Sequence, residues 1–395
     1  LILMSHTSKR VAAFTESLIR EMTRVNDQNQ AVNLAQGFPD FDPPKEIIDA
    51  AKSALDGNFN QYAITWGSSE LRIAIARKFL NYNGLEIDPD RHITVCCGGT
   101  EGMIATMMAV IDSGDKVIVP LPFYENYGPD IVLCGGQPIY LNMYQEGDGF
   151  HYRKEELINA FSQGVKAIVL NTPHNPTGKV FSFEELSFIS ELCQEYDAMA
   201  ITDEPYEHIL FDGAVHHSVA ALDGMSDRTI TINSMSKTYS VTGWRIGWAI
   251  CKDEEISSAI RKAHDFLTVG AAAPLQKASV TALGLPVGYY ADLSNGYTER
   301  RDMMMSILRN NGFDYITPQG AYYVMTKYPD CGYSDGLEFS MFLSETIGVT
   351  PVPGRAFYPV ESNLGAPYIR FAFPKRLDTL QTVSDNLSKL VNYIK

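Results

Sequence analysis

Between residues 93 and 251 the chain alternates short apolar runs with segments whose apolar residues recur at helical spacing. The apolar runs are rich in β-branched residues and predict strands at 93–96, 116–119, 138–142, 167–170, 198–202, 229–233 and 246–251. The segments between them predict helices, among them one over residues 183–196 with Ser182 as its N-cap and Glu185 three residues further on. Such alternation is typical of α/β proteins with a mostly parallel sheet that helices cover on both faces.

The two ends of the chain show a different pattern. Helical spacing runs from Val11 to Met22, followed by an extended stretch at 31–34 and a turn at 37–44. Beyond Lys252, helices are predicted over 256–267, 274–283 and 286–310, then strands at 322–325 and 368–373 and a closing helix at 377–394. A chain of 395 residues is too long for one simple core, so we expect a second, smaller α+β domain.

Composition and charge narrow the possible partners. The net charge of −15 repels nucleic acids and anionic membranes, so neither is expected as a partner. No apolar run reaches the length of about 18 residues that a membrane-spanning helix needs. Residues 1–4 are too short for the apolar core of a secretion signal and lack a basic start, so we expect an alternative start or a cloning remnant.

The cysteines and histidines do not predict a metal site. The six cysteines show no CxxC spacing, and Cys96, Cys193 and Cys251 lie within apolar segments, so we expect free thiols in a reducing cytoplasm. The eight histidines are scattered, and the pair His216 and His217 has no partner pattern for a metal.

The segment after the strand at 229–233 combines a lysine with hydroxyl groups and an arginine, and it reads SMSKTYSVTGWR from Ser234 to Arg245. A lysine at the end of a buried strand loses solvation, so the amine of Lys237 becomes neutral more easily and can attack a carbonyl. Ser234, Ser236 and Arg245 can donate hydrogen bonds to a phosphate, and a Schiff-base lysine beside a phosphate site is what pyridoxal phosphate requires. The alternatives are a solvated surface lysine and the Ser-x-x-Lys motif of serine acyl-transfer enzymes, although the chain lacks the Lys-Thr-Gly motif of that class.

Three more predicted strand ends suit the same cofactor. Asp203 can keep a pyridine nitrogen protonated, and Tyr206, three residues on, is near enough in the chain to reach the phenolic oxygen of that ring. Asn175, in an Asn-Pro-Thr-Gly motif, offers an amide donor to the same oxygen. Gly99 and Thr100 lie in a turn between a strand and a helix, where backbone N–H groups bind phosphate, although such a turn can also be purely structural.

Together these motifs resemble the fold-type I pyridoxal phosphate-dependent aminotransferases of class I/II, the group of the aspartate, aromatic and kynurenine aminotransferases. The resemblance extends over nearly the whole chain, in order. The matching segments are 33–41, 60–62, 98–100, 122–124, 175–178, 203–206, 234–245 and 368–371. The lysine segment and the Asn-Pro-Thr-Gly motif are the most specific of these.

The resemblance implies an N-terminal arm (1–41) that packs with the small domain, a large cofactor-binding domain (42–284) and a small C-terminal domain (285–395). It also implies a ping-pong mechanism through a Schiff base on Lys237, with Asp203 and Tyr206 as further catalytic residues. The cofactor-binding residues are then Gly99, Thr100, Tyr124, Asn175, Asp203, Tyr206, Ser234, Ser236, Lys237, Arg245 and Tyr62. Tyr62 would reach across a homodimer interface to the phosphate in the neighbouring subunit.

Arg370 is expected to bind the α-carboxylate of the substrate through a bidentate contact. The resemblance places Gly37 on the substrate side, and the other expected substrate-binding residues are Asn171, Asn175, Phe38 and Trp66. Aspartate-preferring relatives carry a basic residue at the position of Thr100, so we expect an L-amino acid with an apolar or aromatic side chain and a 2-oxo acid such as 2-oxoglutarate.

The alternatives are an aspartate aminotransferase with another cation, a cysteine-conjugate β-lyase on the same site, and a regulator, which would carry a basic DNA-binding module.

Overall fold

The computed structural model describes residues 7–147 and 149–395, and within these residues the strands form three sheets. The strands are β1 (Val32–Asn33), β2 (Ile93–Cys96), β3 (Lys116–Leu121), β4 (Gln137–Glu146), β5 (Gly149–Tyr152), β6 (Ala167–Asn171), β7 (Met199–Asp203), β8 (Thr229–Ser234), β9 (Gly247–Cys251), β10 (Asp314–Tyr315), β11 (Tyr323–Lys327), β12 (Val349–Thr350), β13 (Val352–Pro353) and β14 (Tyr368–Ala372). The largest sheet has eight strands in the order β2-β9-β8-β7-β6-β3-β4-β5. Its central strands are parallel, whereas β9 runs antiparallel to both of its neighbours and β4 and β5 form an antiparallel pair.

Helices cover both faces of this sheet. The helices are α1 (Leu18–Asn29), α2 (Lys45–Asp56), α3 (Ser69–Lys78), α4 (Gly99–Val110), α5 (Tyr127–Leu133), α6 (Lys154–Phe161), α7 (Phe183–Glu195), α8 (Glu254–Leu267), α9 (Ala273–Leu283), α10 (Val287–Asn310), α11 (Gly336–Phe342) and α12 (Leu377–Leu387). Side chains alternate between the faces of a strand. In β9, Ala249 and Cys251 accordingly join the core that α4 to α7 cover, while Trp248 and Ile250 join a second core under α3 and α9. The α/β fold class predicted from the sequence is therefore confirmed.

A smaller antiparallel sheet, in the order β10-β11-β14-β13, has its own apolar core, to which α10 and α12 contribute. The short strand β1 pairs in parallel with β12, and Leu34 is buried in this second unit. The N-terminal segment is thus tied to residues more than 300 positions further along the chain. The domain boundaries at 41/42 and 284/285 remain a prediction.

Several element boundaries differ from the sequence prediction. The first long helix begins at Leu18 rather than near Val11, because the Ser17 hydroxyl accepts the backbone N–H of Arg20 and caps the helix there. The closing helix ends at Leu387 and tightens into a 3₁₀ turn over Ser388–Asn392. The N-cap at Ser182 is confirmed, and Glu185 completes a capping box. The prediction for residues 1–4 lies outside the described residues, and no described helix is long and apolar enough to cross a membrane.

Candidate active site

The candidate active site is a cavity at the edge where the carboxyl ends of the parallel strands meet. It is lined by Gly99, Thr100, Met103, Tyr124, Asn126, Tyr127, Asn171, Asn175, Asp203, Pro205, Tyr206, Ser234, Ser236, Lys237, Thr242, Arg245 and Tyr323. Asn171, Asp203 and Ser234 are the last residues of β6, β7 and β8. Because β9 runs in the opposite direction, its first residue lies at the same edge, and Arg245 stands just before it. The sheet topology thus brings four separate sequence motifs together.

Lys237 is partly buried at this edge, three residues after the end of β8. Its Nζ atom donates a hydrogen bond to the backbone oxygen of Gly37 at 3.2 Å. Burial lowers the pKa of Lys237, so its amine loses a proton more readily than a solvated lysine does. A neutral amine is the form that attacks an aldehyde.

The turn before α4 has the form of an anion-binding site. Gly98 has a φ of 83°, and a side chain there would overlap the guanidinium group of Arg245. A side chain at Gly247 would come within 2.6 Å of the Gly98–Gly99 backbone, so this approach also requires glycine. The free N–H groups of the first turn of α4 lie beside Arg245 and the hydroxyl-bearing Ser236, as a phosphate requires.

Asp203 faces this cavity as a partly buried carboxyl group. The hydroxyl of Tyr127 donates to its Oδ2 atom at 2.6 Å. Burial raises the pKa of Asp203 to about 6. A cationic N–H group beside the carboxylate would offset this cost of burial, so the site fits the protonated nitrogen of a pyridine ring.

Arg370 lies behind Asn175, at the margin of the cavity, and its side chain is almost fully buried. Its Nη1 atom donates to Oδ1 of Asn175 at 2.8 Å, and its Nη2 atom donates to the Ala35 carbonyl at 2.5 Å. Its Nε atom is buried without a hydrogen-bond partner in the described residues. Since Arg370 holds the oxygen of the Asn175 amide, the donor end of that amide remains for a ligand.

The other residues predicted on the substrate side have different placements. The amide of Asn171 lines the cavity, but it donates to the Asp203 carbonyl and accepts from the Asn175 N–H, both at 2.7 Å, and so fixes two strand ends. The carbonyl of Gly37 accepts from Lys237 and from the hydroxyl of Tyr322. A side chain at Gly37 would overlap the hydroxyl of Tyr323, so only glycine fits at this position.

Besides Gly37 and Arg370, three predicted site residues do not line the cavity, namely Phe38, Trp66 and Tyr62. The ring of Phe38 packs against the ammonium group of Lys375, 4.2 Å from the ring centre, and that of Trp66 packs against Arg261. Neither ring lines the cavity of the single chain, and the role of Phe38 and Trp66 in substrate binding stays a prediction. Tyr62 is 91% exposed on the single chain.

Two tyrosines of the site were not predicted from the sequence. Tyr127 bonds to Asp203, and Tyr323 bonds to Tyr206, with 3.0 Å between the hydroxyl oxygens. Tyr127 follows Tyr124 by three residues in a short helix, and Tyr323 lies at the start of β11. The remaining unpredicted residues in the lining are Met103, Asn126, Pro205 and Thr242.

Comparison with known proteins identifies the family. The family model for aminotransferase class I and II matches residues 29–376. The probable N-succinyldiaminopimelate aminotransferase DapC of Mycobacterium tuberculosis is 35% identical over 391 residues, which cover 97% of this chain and 98% of the relative. Human kynurenine–oxoglutarate transaminase 1 is 35% identical over 401 residues, which cover 93% and 94%.

A solved structure supports the same conclusion. The structure of N-succinyldiaminopimelate aminotransferase from M. tuberculosis superposes with a TM-score of 0.94 at 36% identity and covers 97% of this chain and 100% of the other. Enzymes of this family use pyridoxal 5′-phosphate, which the lysine, carboxylate and anion-binding turn of the cavity fit. The chain is therefore a member of the class I and II aminotransferases, a pyridoxal phosphate-dependent transaminase of amino-acid metabolism.

Proposed function

We propose that this aminotransferase moves the amino group of an L-amino acid, with apolar or aromatic side chains favoured, to a 2-oxo acid such as 2-oxoglutarate. The two half-reactions use one site in turn, in a ping-pong mechanism. The observation that carries the proposal is the arrangement of the partly buried amine of Lys237 in one cavity with Asp203, beside an arginine whose Nε atom has no partner among the described residues.

Each cofactor contact is assigned to a residue of the cavity. Bound pyridoxal phosphate supplies an aldehyde and an electron-withdrawing ring. Lys237 would hold the cofactor through its aldehyde carbon, with the aldehyde oxygen released as water, and its amine, once free again, would carry the proton from the substrate α-carbon. Asp203 holds the proton on the ring nitrogen, while Tyr206 and Asn175 donate to the ring oxygen.

The remaining contacts hold the ring and the phosphate. Tyr124 covers the face of the ring. The phosphate is bound by the backbone of Gly99 and Thr100 and by the side chains of Ser234, Ser236 and Arg245.

Arg370 is proposed to bind the α-carboxylate that all amino and oxo acid substrates share. Its guanidinium group lies between the rings of Tyr323 and Phe357, with Cζ at 4.2 and 4.8 Å from the ring centres. These contacts restrict the guanidinium plane, and a planar group with a free donor suits a carboxylate.

The side-chain preference follows from the charges in the cavity. Among the described lining residues, the cations are Lys237 and Arg245, and both are assigned to the cofactor. Thr100 supplies no charge, so the second carboxylate of aspartate would lack a partner in this chain and lose several kcal/mol on burial, a cost of the order known for unpaired charged groups. The human relative is named for kynurenine, an amino acid with an aromatic side chain, which agrees with this preference.

We propose that the active unit is a homodimer in which Tyr62 serves the neighbouring subunit. Tyr62 is 91% exposed and Phe266 is 94% exposed, which is unusual for large aromatic residues. Their segments lie side by side, because His264 bonds to the carbonyl of Thr65 at 2.8 Å. An exposed aromatic surface of this kind is typical of a protein–protein interface.

We also infer a reducing, cytoplasmic location. All six cysteines are unpaired, and the thiols of Cys96, Cys193 and Cys251 are buried. Disulfides are rare in reducing compartments, where buried cysteine behaves as a small apolar side chain.

Two measurements test the proposal. Borohydride reduction of the loaded protein should fix the cofactor to the peptide that contains Lys237, and labelling of any other lysine would refute the assignment.

Single amino acids should then be mixed with the loaded protein while the cofactor absorbance is followed. Phenylalanine, tyrosine, methionine or leucine should react faster than aspartate, and 2-oxoglutarate should restore the original spectrum. Release of pyruvate from cysteine conjugates without a 2-oxo acid would instead indicate a β-lyase.

A further inference from the structure

Tyr323 occupies an unusual place in the cavity, because it touches both the proposed donor to the cofactor ring and the proposed carboxylate anchor. Its hydroxyl oxygen lies 3.0 Å from that of Tyr206. Its ring lies under the guanidinium group of Arg370, with Cζ at 4.2 Å from the ring centre. In β11 it pairs with Ala372 of β14, two residues from Arg370 on the same face of the sheet.

The direction of the hydrogen bond between the two phenols follows from counting protons. A phenol has one hydrogen to donate and can accept hydrogen bonds on its oxygen. Burial raises the pKa of Tyr206 well above its ordinary value, so Tyr206 keeps its proton at working pH. If Tyr206 donates that proton to the cofactor ring oxygen, its own oxygen can only accept from Tyr323.

The surroundings hold the Tyr323 hydroxyl in this position. Tyr323 is 97% buried, with a relative exposure of 3%. The absent side chain of Gly37 leaves the space that this hydroxyl fills. Its ring meets the ring of Tyr206 edge-on at 5.7 Å and that of Tyr322 at 4.9 Å. A donor fixed by packing keeps its geometry better than a mobile one.

We propose that Tyr323 is a positioning residue that donates its hydroxyl proton to Tyr206 and so strengthens the hydrogen bond from Tyr206 to the cofactor ring oxygen. This inference rests on the proposed role of Tyr206. Chains of hydrogen bonds polarise one another, so a donor behind Tyr206 makes Tyr206 the stronger donor. The ring of Tyr323 independently supports Arg370.

In the protein loaded with cofactor, the Tyr323 hydroxyl should affect the pH at which the bound cofactor loses a proton. The proton that leaves as the pH rises is shared between the Lys237 nitrogen and the cofactor ring oxygen. A donor aimed at that oxygen competes for the lone pairs that hold the proton, and weakening this donor raises the pH at which the proton leaves. The absorbance of the bound cofactor reports this titration without any turnover.

The experiment compares Tyr323→Phe with Tyr315→Phe as a matched control, because the hydroxyl of Tyr315 bonds to the Met305 carbonyl and Tyr315 does not line the cavity. Tyr323→Phe should raise the midpoint of the absorbance titration by roughly 0.1–0.5 pH unit, since a donor behind Tyr206 strengthens its hydrogen bond by about 10–30%. KM for amino acids should change little, since the phenyl ring still supports Arg370. Tyr323→Leu should raise the midpoint and also increase KM.

A double-mutant cycle decides whether Tyr323 acts through Tyr206. Tyr206→Phe alone should raise the midpoint, and adding Tyr323→Phe should then produce no further shift. Additive shifts, or a Tyr323→Phe midpoint equal to the wild-type value while Tyr206→Phe shifts it, would overturn the inference and leave the proposed function intact. An unshifted Tyr206→Phe midpoint would overturn the role of Tyr206 and the inference with it.

Discussion

At the scale of single residues, Arg370 shows how a binding group is prepared before its ligand arrives. Two of its nitrogen atoms hold Asn175 and the backbone of Ala35, while Nε has no partner in the described residues. The burial that lowers the pKa of Arg370 still leaves it charged, since an arginine ordinarily titrates far above neutral pH. A buried cation with a spare donor binds a carboxylate strongly.

We therefore expect Arg370→Lys to raise KM for amino acids and 2-oxo acids about 10- to 100-fold, because lysine cannot make a planar bidentate contact and a charged hydrogen bond is worth roughly 1.5–3 kcal/mol. Steady-state kinetics with both substrates varied measures the change. Arg355→Lys is the control, since Arg355 forms an ion pair with Asp335 and is partly exposed. Equal KM values for the Arg370 variant and the control would contradict the proposed anchor.

A second residue-scale prediction concerns pH. Burial raises the pKa of Asp203 to about 6 from the usual 3.8, so below about pH 6 the cofactor-free protein holds a proton on this carboxyl. The ring nitrogen requires the ionised carboxylate, so affinity for pyridoxal phosphate should rise as the pH increases through about 6 and then level off.

This dependence is measured by titrating the cofactor-free protein with pyridoxal phosphate between about pH 5 and pH 8. The phosphate group of the ligand titrates near pH 6 as well, so Asp203→Asn is compared at every pH. The variant should bind pyridoxal phosphate more weakly at high pH. Its affinity should also rise less with pH than that of the wild-type protein, because the contribution of Asp203 is missing. Parallel curves for the two proteins would show that Asp203 does not control binding.

At the scale of elements, the first turn of α4 places Thr100 at the cavity, at the position where the family resemblance leads us to expect a cation in an aspartate-preferring enzyme. Thr100→Lys should increase the half-reaction rate with aspartate by at least about tenfold, since pairing a buried carboxylate is worth more than 1.4 kcal/mol. Thr100→Met is the matched control, because it adds similar length without charge. Stopped-flow absorbance with aspartate and phenylalanine measures both rates, and an equal gain in the two variants would disprove the charge argument.

The elements also explain which parts of the site were predictable. Asp203, Asn175 and Lys237 follow apolar strands, and parallel strands bring their carboxyl ends to one edge, so their convergence follows from local sequence. Tyr323 meets Tyr206 across 117 positions, next to the bridge between Leu210 and Gly320, which no local pattern specifies. Phe38 fits an aromatic pocket by residue type, yet it packs against Lys375, because side-chain direction depends on tertiary contacts.

At the scale of the whole molecule, the proposed dimer makes each site depend on two chains. Tyr62→Ala and Lys237→Ala variants should each be strongly impaired. After subunit exchange, half of the dimers in an equal mixture are hybrids with one intact site, so activity should recover to about a quarter of the wild-type value. Native mass spectrometry confirms the exchange. The control mixes Lys237→Ala with Asp203→Ala; each of these changes damages the site of its own subunit, so a hybrid dimer has no intact site and activity should not recover. No recovery in verified hybrids would argue against a shared site.

The bond between Arg370 and Ala35 joins positions that are 335 residues apart, and β1 likewise pairs with β12 near residue 349. A ribosome releases the N-terminal segment first, so this segment has no native partner until most of the chain has been synthesised. The eight-stranded sheet, whose last strand ends at Cys251, can form earlier. Nascent chains that stop before residue 349 should therefore expose residues 30–37 to proteases, and capture of the cofactor becomes a late event in biogenesis.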